Sequence, residues 1–311
     1  MNLVHSRNAK SGVASAKIGE LLDSITEEQL RKWVERISVP RHFAAEPQAN
    51  RATGAWLSEL FESFGFRTQT QGRFRNILAL PQGEFKQMIL VGAHYDSVPM
   101  CPSADDNGSA VAAMLACAAA CSLWHTALPV MFVAFNCEED GLAGSRDFVT
   151  SWFPNAPFKI RSAHILEMVG YASSAHGSQR VPAGLPVKIS DRGDFLGLLA
   201  NRLSIGLMDF LLGHAATYTP QLPVTGLKVR LGLEKHFSVL SRSDHAPFWA
   251  QQIPALMWTD TSEFRNPNYH LRTDTPDTLD YAFLWKVTQL LTASVLEQAR
   301  RPVIPSAEPA N

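Results

Sequence analysis

The stretch QMILVGAHYDS, residues 87–97, is a nearly continuous apolar run that ends in a histidine and an aspartate. Such a run predicts a central β-strand that is covered on both faces, as the strands of parallel sheets are. Two more apolar runs, PVMFVAF at 129–135 and SAHIL at 162–166, have the same character. Because strand-like and helix-like segments alternate along the chain, the pattern indicates an α/β fold.

The other predicted elements follow from the spacing of apolar residues and from turn residues. Helices are predicted at 18–37, 50–64, 106–122, 195–203 and 279–299, and further strands at 66–70, 76–80, 186–189 and 254–258. Ser24 and Glu27 match a capping box, and the segment 206–234 fits no regular pattern. We expect a single domain at 16–300, with a mixed, mostly parallel central sheet between helices. A loose arm is predicted at 1–15 and a tail at 301–311.

Composition narrows the classes of partner. The chain has 311 residues, a formal net charge of -1 and 46% apolar residues, which suits a globular protein with a filled core. This charge gives no electrostatic reason to expect nucleic acid or an anionic membrane as a partner. No apolar stretch approaches the roughly 20 residues that span a bilayer. The first 20 residues lack the apolar core of a secretory signal, so a cytoplasmic location is expected for the sequence as written.

Five residues that can bind metal ions stand where predicted strands end or helices begin. They are His94, Asp106, Glu139, Glu167 and His270. Imidazole nitrogens and carboxylate oxygens are ligands that zinc takes in proteins. A lone histidine at a strand end is more often structural, but five such residues together favour a metal site. The set predicts two divalent cations that share one carboxylate.

Three aspartates at the predicted site have distinct predicted roles. Asp105 and Asp106 precede an alanine-rich helix, where one of them can act as a helix cap. Asp106 is the candidate bridge, because two cations about 3.5–4 Å apart repel each other unless an anion lies between them. Asp96 comes two residues after His94 and therefore points to the same side of an extended backbone. Its carboxylate can accept a hydrogen bond from the imidazole nitrogen that does not bind metal.

Glu138 and Glu139 follow the strand at 129–135 directly. Adjacent carboxylates in a dry site repel each other unless cations neutralise them. If Glu139 binds a metal ion, Glu138 is left to act as a general base. Ser243, Asp244 and His245 contain the residue types of a catalytic triad, but neighbours in sequence do not easily assemble its geometry. Asp244 and His245 are instead predicted to start a helix and to support the metal site.

Six motifs occur here in one order: GAHYDS, ADDNGSA, EEDGLAGS, a carboxylate before Met168, RSDHAPF and YHLRTDTPD. In these motifs the chain resembles family twenty-eight of the metallopeptidases, the zinc aminopeptidases, whose relatives include the glutaminyl cyclases. The resemblance covers roughly residues 76–280. It implies a zinc-exopeptidase, phosphorylase-like fold that holds two zinc ions, with one ion as the alternative.

The resemblance also implies roles for individual residues. It puts His94 and Glu167 on one zinc ion, Glu139 and His270 on the other, Asp106 between them, Glu138 as general base and Tyr269 as an oxyanion ligand. It further implies a cis peptide bond after Asp106. The family usually has aspartate where this chain has Glu167, which puts the affinity of the first ion and its contact with substrate in question.

The resulting hypothesis is an aminopeptidase that removes N-terminal residues from peptides. A carboxypeptidase or dipeptidase-like hydrolase is the nearest alternative, with Arg242, Arg265 and Arg272 as a clamp for a substrate carboxylate. Another amide hydrolase of this fold, a glutaminyl cyclase or a binding module without catalysis remain further alternatives. The substrate pocket is expected to involve residues 171–240, and the sequence does not predict the oligomeric state.

Overall fold

The computed structural model describes residues 1–124 and 128–300. Within them the strands are β1 (Asn2–His5), β2 (Arg67–Gln71), β3 (Asn76–Leu80), β4 (Gln87–His94), β5 (Val130–Phe135), β6 (Lys159–Glu167), β7 (Leu196–Ala200), β8 (Val224–Lys228) and β9 (Ala255–Thr259). The α-helices are α1 (Ala16–Asp23), α2 (Glu27–Ile37), α3 (Pro47–Ser63), α4 (Ala110–Ser122), α5 (Ala143–Asp147), α6 (Ile205–Tyr218), α7 (His245–Ala250) and α8 (Tyr281–Ala299).

All of these strands join one mixed sheet in the order β1-β8-β7-β9-β6-β4-β5-β3-β2. The central strands β9, β6, β4 and β5 run parallel, whereas β7 pairs with β9 in the antiparallel direction. The central block therefore presents the carboxyl ends of its strands at one edge. In open α/β sheets that edge is where ligands bind.

Helices cover both faces of the sheet, as predicted. One face packs against α1, α2, α4, α6 and α8, with fully buried residues such as Leu115 and Leu290. The other face packs against aromatic residues from shorter segments, including Phe148 just after α5 and Phe248 in α7. The alanine-rich sequence of α4 lets that helix approach β4 closely, because small side chains leave little space between a helix and a sheet. The single α/β domain expected from the sequence is thus confirmed in its architecture.

Several predicted elements are wrong in detail. The helix predicted at 195–203 is strand β7, because a short buried apolar run such as LGLLA suits a helix and a strand equally well. The strand predicted at 186–189 does not form, although Val187 and Ile189 there alternate with exposed residues. The helix predicted at 18–37 is two helices, and the cap of α2 is Thr26, whose hydroxyl accepts from the Gln29 amide.

Two segments without predicted regular structure contribute to the sheet. The region 206–234 forms most of α6 and all of β8. The arm predicted to be loose contains β1, which pairs with β8 and forms one edge of the sheet. The predicted tail at 301–311 lies outside the described residues, and the proposed domain limits remain a prediction. No helix in the described part of the chain is both long and apolar enough to cross a membrane.

Candidate metal centre

Six side chains that can hold metal ions meet at the carboxyl edge of β4, β5 and β6, in two groups. One group is His94, Glu138 and Glu167, and the other is Asp106, Glu139 and His270, with the donor atoms within 4.8 Å of one another in each group. His94 and Glu167 are the last residues of β4 and β6. The structure therefore brings together all five predicted ligands and the predicted base, which arrive from five separate chain segments.

The Asp106 carboxylate faces both histidines. Its Oδ1 lies 3.3 Å from His94 Nε2, and its Oδ2 lies 3.1 Å from His270 Nε2. Each histidine also has its own acidic neighbour: His94 Nε2 is 3.5 Å from Glu167 Oε2, and His270 Nε2 is 3.2 Å from Glu139 Oε2. A carboxylate that offers one oxygen to each of two donor groups has the arrangement required of a bridging ligand.

The buried polar atoms fit a metal-binding role. Within the described residues, His94 Nε2, Asp106 Oδ1 and Glu139 Oε1 are buried and make no hydrogen bond to protein atoms. Buried polar atoms in folded proteins are normally satisfied, so such a group needs a physical explanation. Imidazole nitrogens and carboxylate oxygens aimed at common points are a donor set that suits divalent zinc.

The buried charged groups of the site also favour a bound cation. Burial, with a further contribution from Asp106, raises the pKa of Glu139 to about 7, although His270 opposes the shift. Burial also raises the pKa of Glu138 well above its ordinary value, against the effect of His94. Ionised carboxylates therefore destabilise one another here in the protein alone. A positive ion at the centre relieves that repulsion.

Asp96 organises both sides of the centre. Its Oδ1 lies 3.4 Å from His94 Nδ1, the ring nitrogen that faces away from Asp106. The same carboxylate accepts hydrogen bonds from the backbone amides of Glu138 and Glu139, each at 3.2 Å. Sequence reasoning anticipated the contact with His94 but not the second function. Asp96 therefore couples the end of β4 to the turn that carries the two glutamates.

Asp274 is a supporting residue that the sequence reasoning missed. Its carboxylate oxygens accept from the amides of Asp105 at 2.9 Å and Asp106 at 3.1 Å. Asp105 itself turns away from the centre and accepts from the Gly170 amide. The position of Asp274, four residues after His270 in YHLRTDTPD, was the available signal. The peptide bond after Asp106 is cis, as the resemblance implied.

Two further residues hold Glu167 in place. The Asn107 side chain accepts from the Met168 amide and donates to the Leu166 carbonyl, so it fixes the backbone on both sides of Glu167. Ser243 Oγ donates to Glu167 Oε2 at 2.6 Å. The longer side chain at this position thus still reaches the centre and has a defined hydrogen-bond partner.

Asp244 lies buried close to the centre, directly before α7. Burial raises the pKa of Asp244 to about 7, and Glu167 adds to the shift while His94 opposes it. His245 is also buried, but its Nε2 contacts the Leu240 carbonyl at 3.0 Å. Asp244 is therefore part of the electrostatic surroundings of the metal groups, whereas His245 is bonded elsewhere.

Tyr269 lies at the mouth of the site. Its ring stacks on His270 with the centroids 3.8 Å apart, and its hydroxyl accepts from Arg242 Nη2 at 3.1 Å. Arg242 also pairs with Glu263. Burial raises the pKa of Tyr269, so the phenol keeps its proton at neutral pH. The hydroxyl is therefore available as a hydrogen-bond donor beside the two metal groups.

The arginines considered as a carboxylate clamp do not converge. Arg265 is buried and donates to Gln179 Oε1 and the Phe195 carbonyl. Arg272 is exposed and contacts Met100 Sδ. Of the three, Arg242 alone lines the cavity at the site, and its charge is already paired with Glu263.

A cavity of about 480 Å³ opens from the metal groups. Asp106, Glu138, Glu139 and Glu167 line one end of it. Its other walls include parts of the segments 179–189 and 225–242, which overlap the region expected to form the pocket. The fold and the site together define an α/β protein with two adjoining candidate metal-binding groups at one end of an open cavity.

Comparison with known proteins identifies the family. The model of Peptidase family M28 matches residues 76–188 and 224–295, and the chain belongs to this family. The chain is 33% identical over 279 residues to the uncharacterized protein YfbL of Escherichia coli (strain K12), over 82% of this chain and 83% of that protein.

Two other similarities involve proteins named as aminopeptidases. Aminopeptidase YwaD of Bacillus subtilis (strain 168) is 26% identical over 76% of this chain, which spans only 46% of that protein's length. The solved structure of the LapA aminopeptidase of Legionella pneumophila superposes with a TM-score of 0.73 at 19% identity, over 94% of this chain and 76% of that one. At that identity the structural likeness shows the fold alone.

Proposed function

We propose that this protein is a zinc-dependent aminopeptidase that removes N-terminal residues from peptides by hydrolysis. The observation that carries the proposal is the bridging geometry of Asp106, whose two oxygens face two histidines, each paired with a further carboxylate. Sites with two metal ions sharing a carboxylate are used for hydrolysis by aminopeptidases. The name of the Bacillus relative supports the same class.

In this proposal His94 and Glu167 would hold one zinc ion, Glu139 and His270 would hold the other, and Asp106 would be a ligand of both. Zinc in such a site supplies a Lewis acid that polarises the scissile carbonyl and lowers the pKa of the attacking water. Asp96 contacts the His94 ring and accepts a hydrogen bond from the Glu138 amide, so it orients both groups. Carboxylates behind metal-bound histidines commonly have this role.

Glu138 is the proposed general base. It lies with His94 and Glu167 at the centre and lines the substrate cavity. Its carboxylate takes the proton of the attacking water and delivers it to the leaving amide nitrogen.

Tyr269 is the proposed oxyanion donor. Its hydroxyl lines the cavity, and Arg242 orients it while the stacked His270 ring holds the phenol in place. A donor that is already oriented stabilises the developing negative charge without reorganising during the reaction.

The charge of the cavity favours a substrate with a free amino terminus. Five acidic residues line it against three arginines, and one of the arginines, Arg242, is paired with Glu263; the acids are Asp106, Glu138, Glu139, Glu167 and Glu263, and the other arginines are Arg146 and Arg180. Arg265 and Arg272, the other members of the clamp considered for a carboxypeptidase, make contacts elsewhere. A substrate ammonium group is therefore better matched than a substrate carboxylate.

The test combines metal analysis with a matched pair of variants. The Glu138→Gln variant is expected to lower kcat about 10²- to 10⁴-fold, because general-base catalysis contributes that much, while zinc content stays at the wild-type level. The control is Asp140→Asn, which makes the same acid-to-amide change on an exposed residue of the same turn. It should retain activity.

Leucyl coumarinamide and its N-acetyl derivative test whether the enzyme requires a free amino terminus. The proposal expects hydrolysis of the first and little of the second. Unimpaired turnover by Glu138→Gln would contradict the role of the base. Cleavage restricted to N-blocked peptides with a free carboxylate would favour a carboxypeptidase, and a protein without zinc or turnover would favour a binding module.

A further inference from the structure

The cavity continues from the metal groups across one face of the sheet. Its floor is formed by side chains of four neighbouring strands, namely Met257 of β9, Leu199 of β7, Leu227 of β8 and Leu3 of β1. The strand registers place these residues in line, because Met257 pairs with Leu199, Leu199 with Leu227, and Leu227 with Leu3. The floor therefore contains an apolar row that runs from β9 to the edge strand β1, beside a second row, Thr259, Gly197 and Thr225, that lies nearer the metal edge.

The row is longer than an ordinary amino-acid side chain needs. From β9 to β1 it crosses three strand spacings, or about 14 Å at about 4.8 Å each. The volume of about 480 Å³ is also large, even though the metal end is part of it. For comparison, an apolar cavity of about 150 Å³ holds a benzene molecule.

A short segment without regular secondary structure forms the roof. Leu185, Val187 and Ile189 line the cavity, whereas Pro186 and Lys188 between them are exposed. Val239 adds a further apolar wall. This alternation explains why the sequence at 186–189 looks like a strand: one side of the segment faces an apolar space and the other faces water.

The apolar part of the lining is incompletely covered. Leu3, Leu227, Met257, Val187 and Ile189 are each only half-buried, although they lie inside the fold rather than on its outer surface. On the opposite face of the same strands, Leu198 and Trp258 are buried against helices. The half-buried row thus leaves apolar surface that a ligand can cover, and covering it is favourable by about 0.8 kcal/mol per methylene group.

We propose that this cavity, here called the long chamber, binds the side chain of the first substrate residue and is built for long, unbranched apolar groups. The substrate class is then an N-terminal residue with a free amino group and an unbranched aliphatic side chain of about eight carbons. The amino group stays at the acidic end and the side chain lies along the row toward Leu3. This inference rests on the proposed function, because it assumes that the amino terminus is held at the metal groups.

The test uses a series of coumarinamides of L-alanine, L-norleucine and L-2-aminodecanoic acid with the zinc-loaded protein. Each buried methylene is expected to raise kcat/KM about fourfold, so the aminodecanoyl substrate should exceed the norleucyl substrate by tenfold or more. A kcat/KM that stops rising at norleucine would overturn the proposal.

Two matched pairs of variants locate the effect. Leu3→Trp fills the far end of the long chamber, and its control Asn2→Trp places the same side chain on the exposed neighbour in β1. Leu3→Trp should lower the ratio of kcat/KM for aminodecanoyl over norleucyl by about tenfold, whereas Asn2→Trp should leave that ratio at the wild-type value. Val187→Trp with the control Lys188→Trp repeats the comparison in the roof segment, should the first variant fold poorly. Equal losses on both substrates would contradict the proposal.

A binding measurement separates this inference from the proposed function. In a thermal-shift titration, n-octylamine is expected to raise the Tm of the wild-type protein more than n-butylamine, and Leu3→Trp should remove the difference. Octylamine binding without hydrolysis of any aminoacyl substrate would support the long chamber and refute the aminopeptidase. Hydrolysis of short substrates without octylamine binding would support the aminopeptidase and refute the long chamber.

Discussion

The two ends of the cavity differ in how the protein holds them. At the metal end, Asp96, Asp274 and Asn107 fix nearly every ligand or its backbone by hydrogen bonds. Along the row from β9 to β1, the side chains are apolar, and Met257, Leu227 and Leu3 are only half-buried. The first arrangement suits chemistry that needs fixed atoms, and the second suits recognition that depends on area and volume. In the proposed function, reactivity and substrate choice would therefore depend on separate halves of the same sheet.

The largest effect at the metal end is expected from removing Asp106, the proposed shared ligand. Asp106→Ala should lose both zinc ions and lower kcat/KM by about a thousandfold or more, since metal catalysis is worth several kcal/mol. Metal analysis and kinetics on leucyl coumarinamide measure the two effects. Retention of one tightly held zinc ion with substantial activity would argue that Asp106 is not a bridge.

Packing on the two halves can be compared at one pair of neighbours. Ile165 of β6 pairs with Met257 of β9, and both point to the same face of the sheet. Ile165→Ala is expected to lower the free energy of unfolding by about 2–5 kcal/mol, because it opens a cavity in a filled core. Met257→Ala should cost less, since its side chain already borders open space. Urea unfolding of both variants makes the comparison, and equal costs would show that the long chamber is collapsed in solution.

Acid stability provides a test of the buried β6 strand. Burial lowers the pKa of His164 to about 4, although its hydrogen bond with Gln298 opposes the shift. The folded state therefore prefers neutral His164, and its stability is fully present above pH 6.5 and lost as the pH falls toward 4. The loss from this residue is expected to reach about 3 kcal/mol at pH 4.

The matched variant for this measurement is His164→Gln, which cannot gain a charge. Chemical unfolding between pH 7.5 and 4 should show a shallower pH dependence for the variant than for wild type. Parallel curves for the two proteins would mean that His164 does not stay neutral in the folded state.

The smallest expected effect concerns the support of the metal end. Asp96→Asn should reduce zinc affinity or activity about 10- to 100-fold, because it weakens the contact with His94 and the two amide bonds to the glutamate turn. Zinc titration against a chelator measures the affinity, and circular dichroism checks the fold. An unchanged zinc affinity would limit Asp96 to a structural role.

Much of the central fold was predictable because its strands are long apolar runs. The runs that became β4, β5 and β6 end in charged motifs, so both their structure and their position at one edge could be expected. The region beyond residue 186 was harder. LGLLA is buried on both sides as β7 and has no alternation to separate it from a helix. The edge strand β1 forms only because β8, more than 200 residues away, supplies its partner.

In the candidate site, the donor residues could be predicted from the sequence, whereas the contacts that support them could not. Glu138, Glu139 and the other donors were found from residue type and motif order, since metal chemistry restricts which side chains can serve. Asp274 and Ser243 were not assigned their contacts, because a carboxylate or hydroxyl that binds a backbone amide or another side chain has no distinctive local pattern. The outcome for the three arginines likewise depended on which groups each meets in the folded chain.

The sequence by itself determined the α/β class, the motif series of Peptidase family M28 and the identity of the donor residues, because these depend on local periodicity and on side-chain chemistry. Only the tertiary structure decided that Asp106 faces both histidines, which arginine reaches the cavity, and that an apolar row extends from β9 to β1. These features arise from strand order and register between distant segments. No local stretch of sequence encodes them, since each depends on the partner that folding brings alongside.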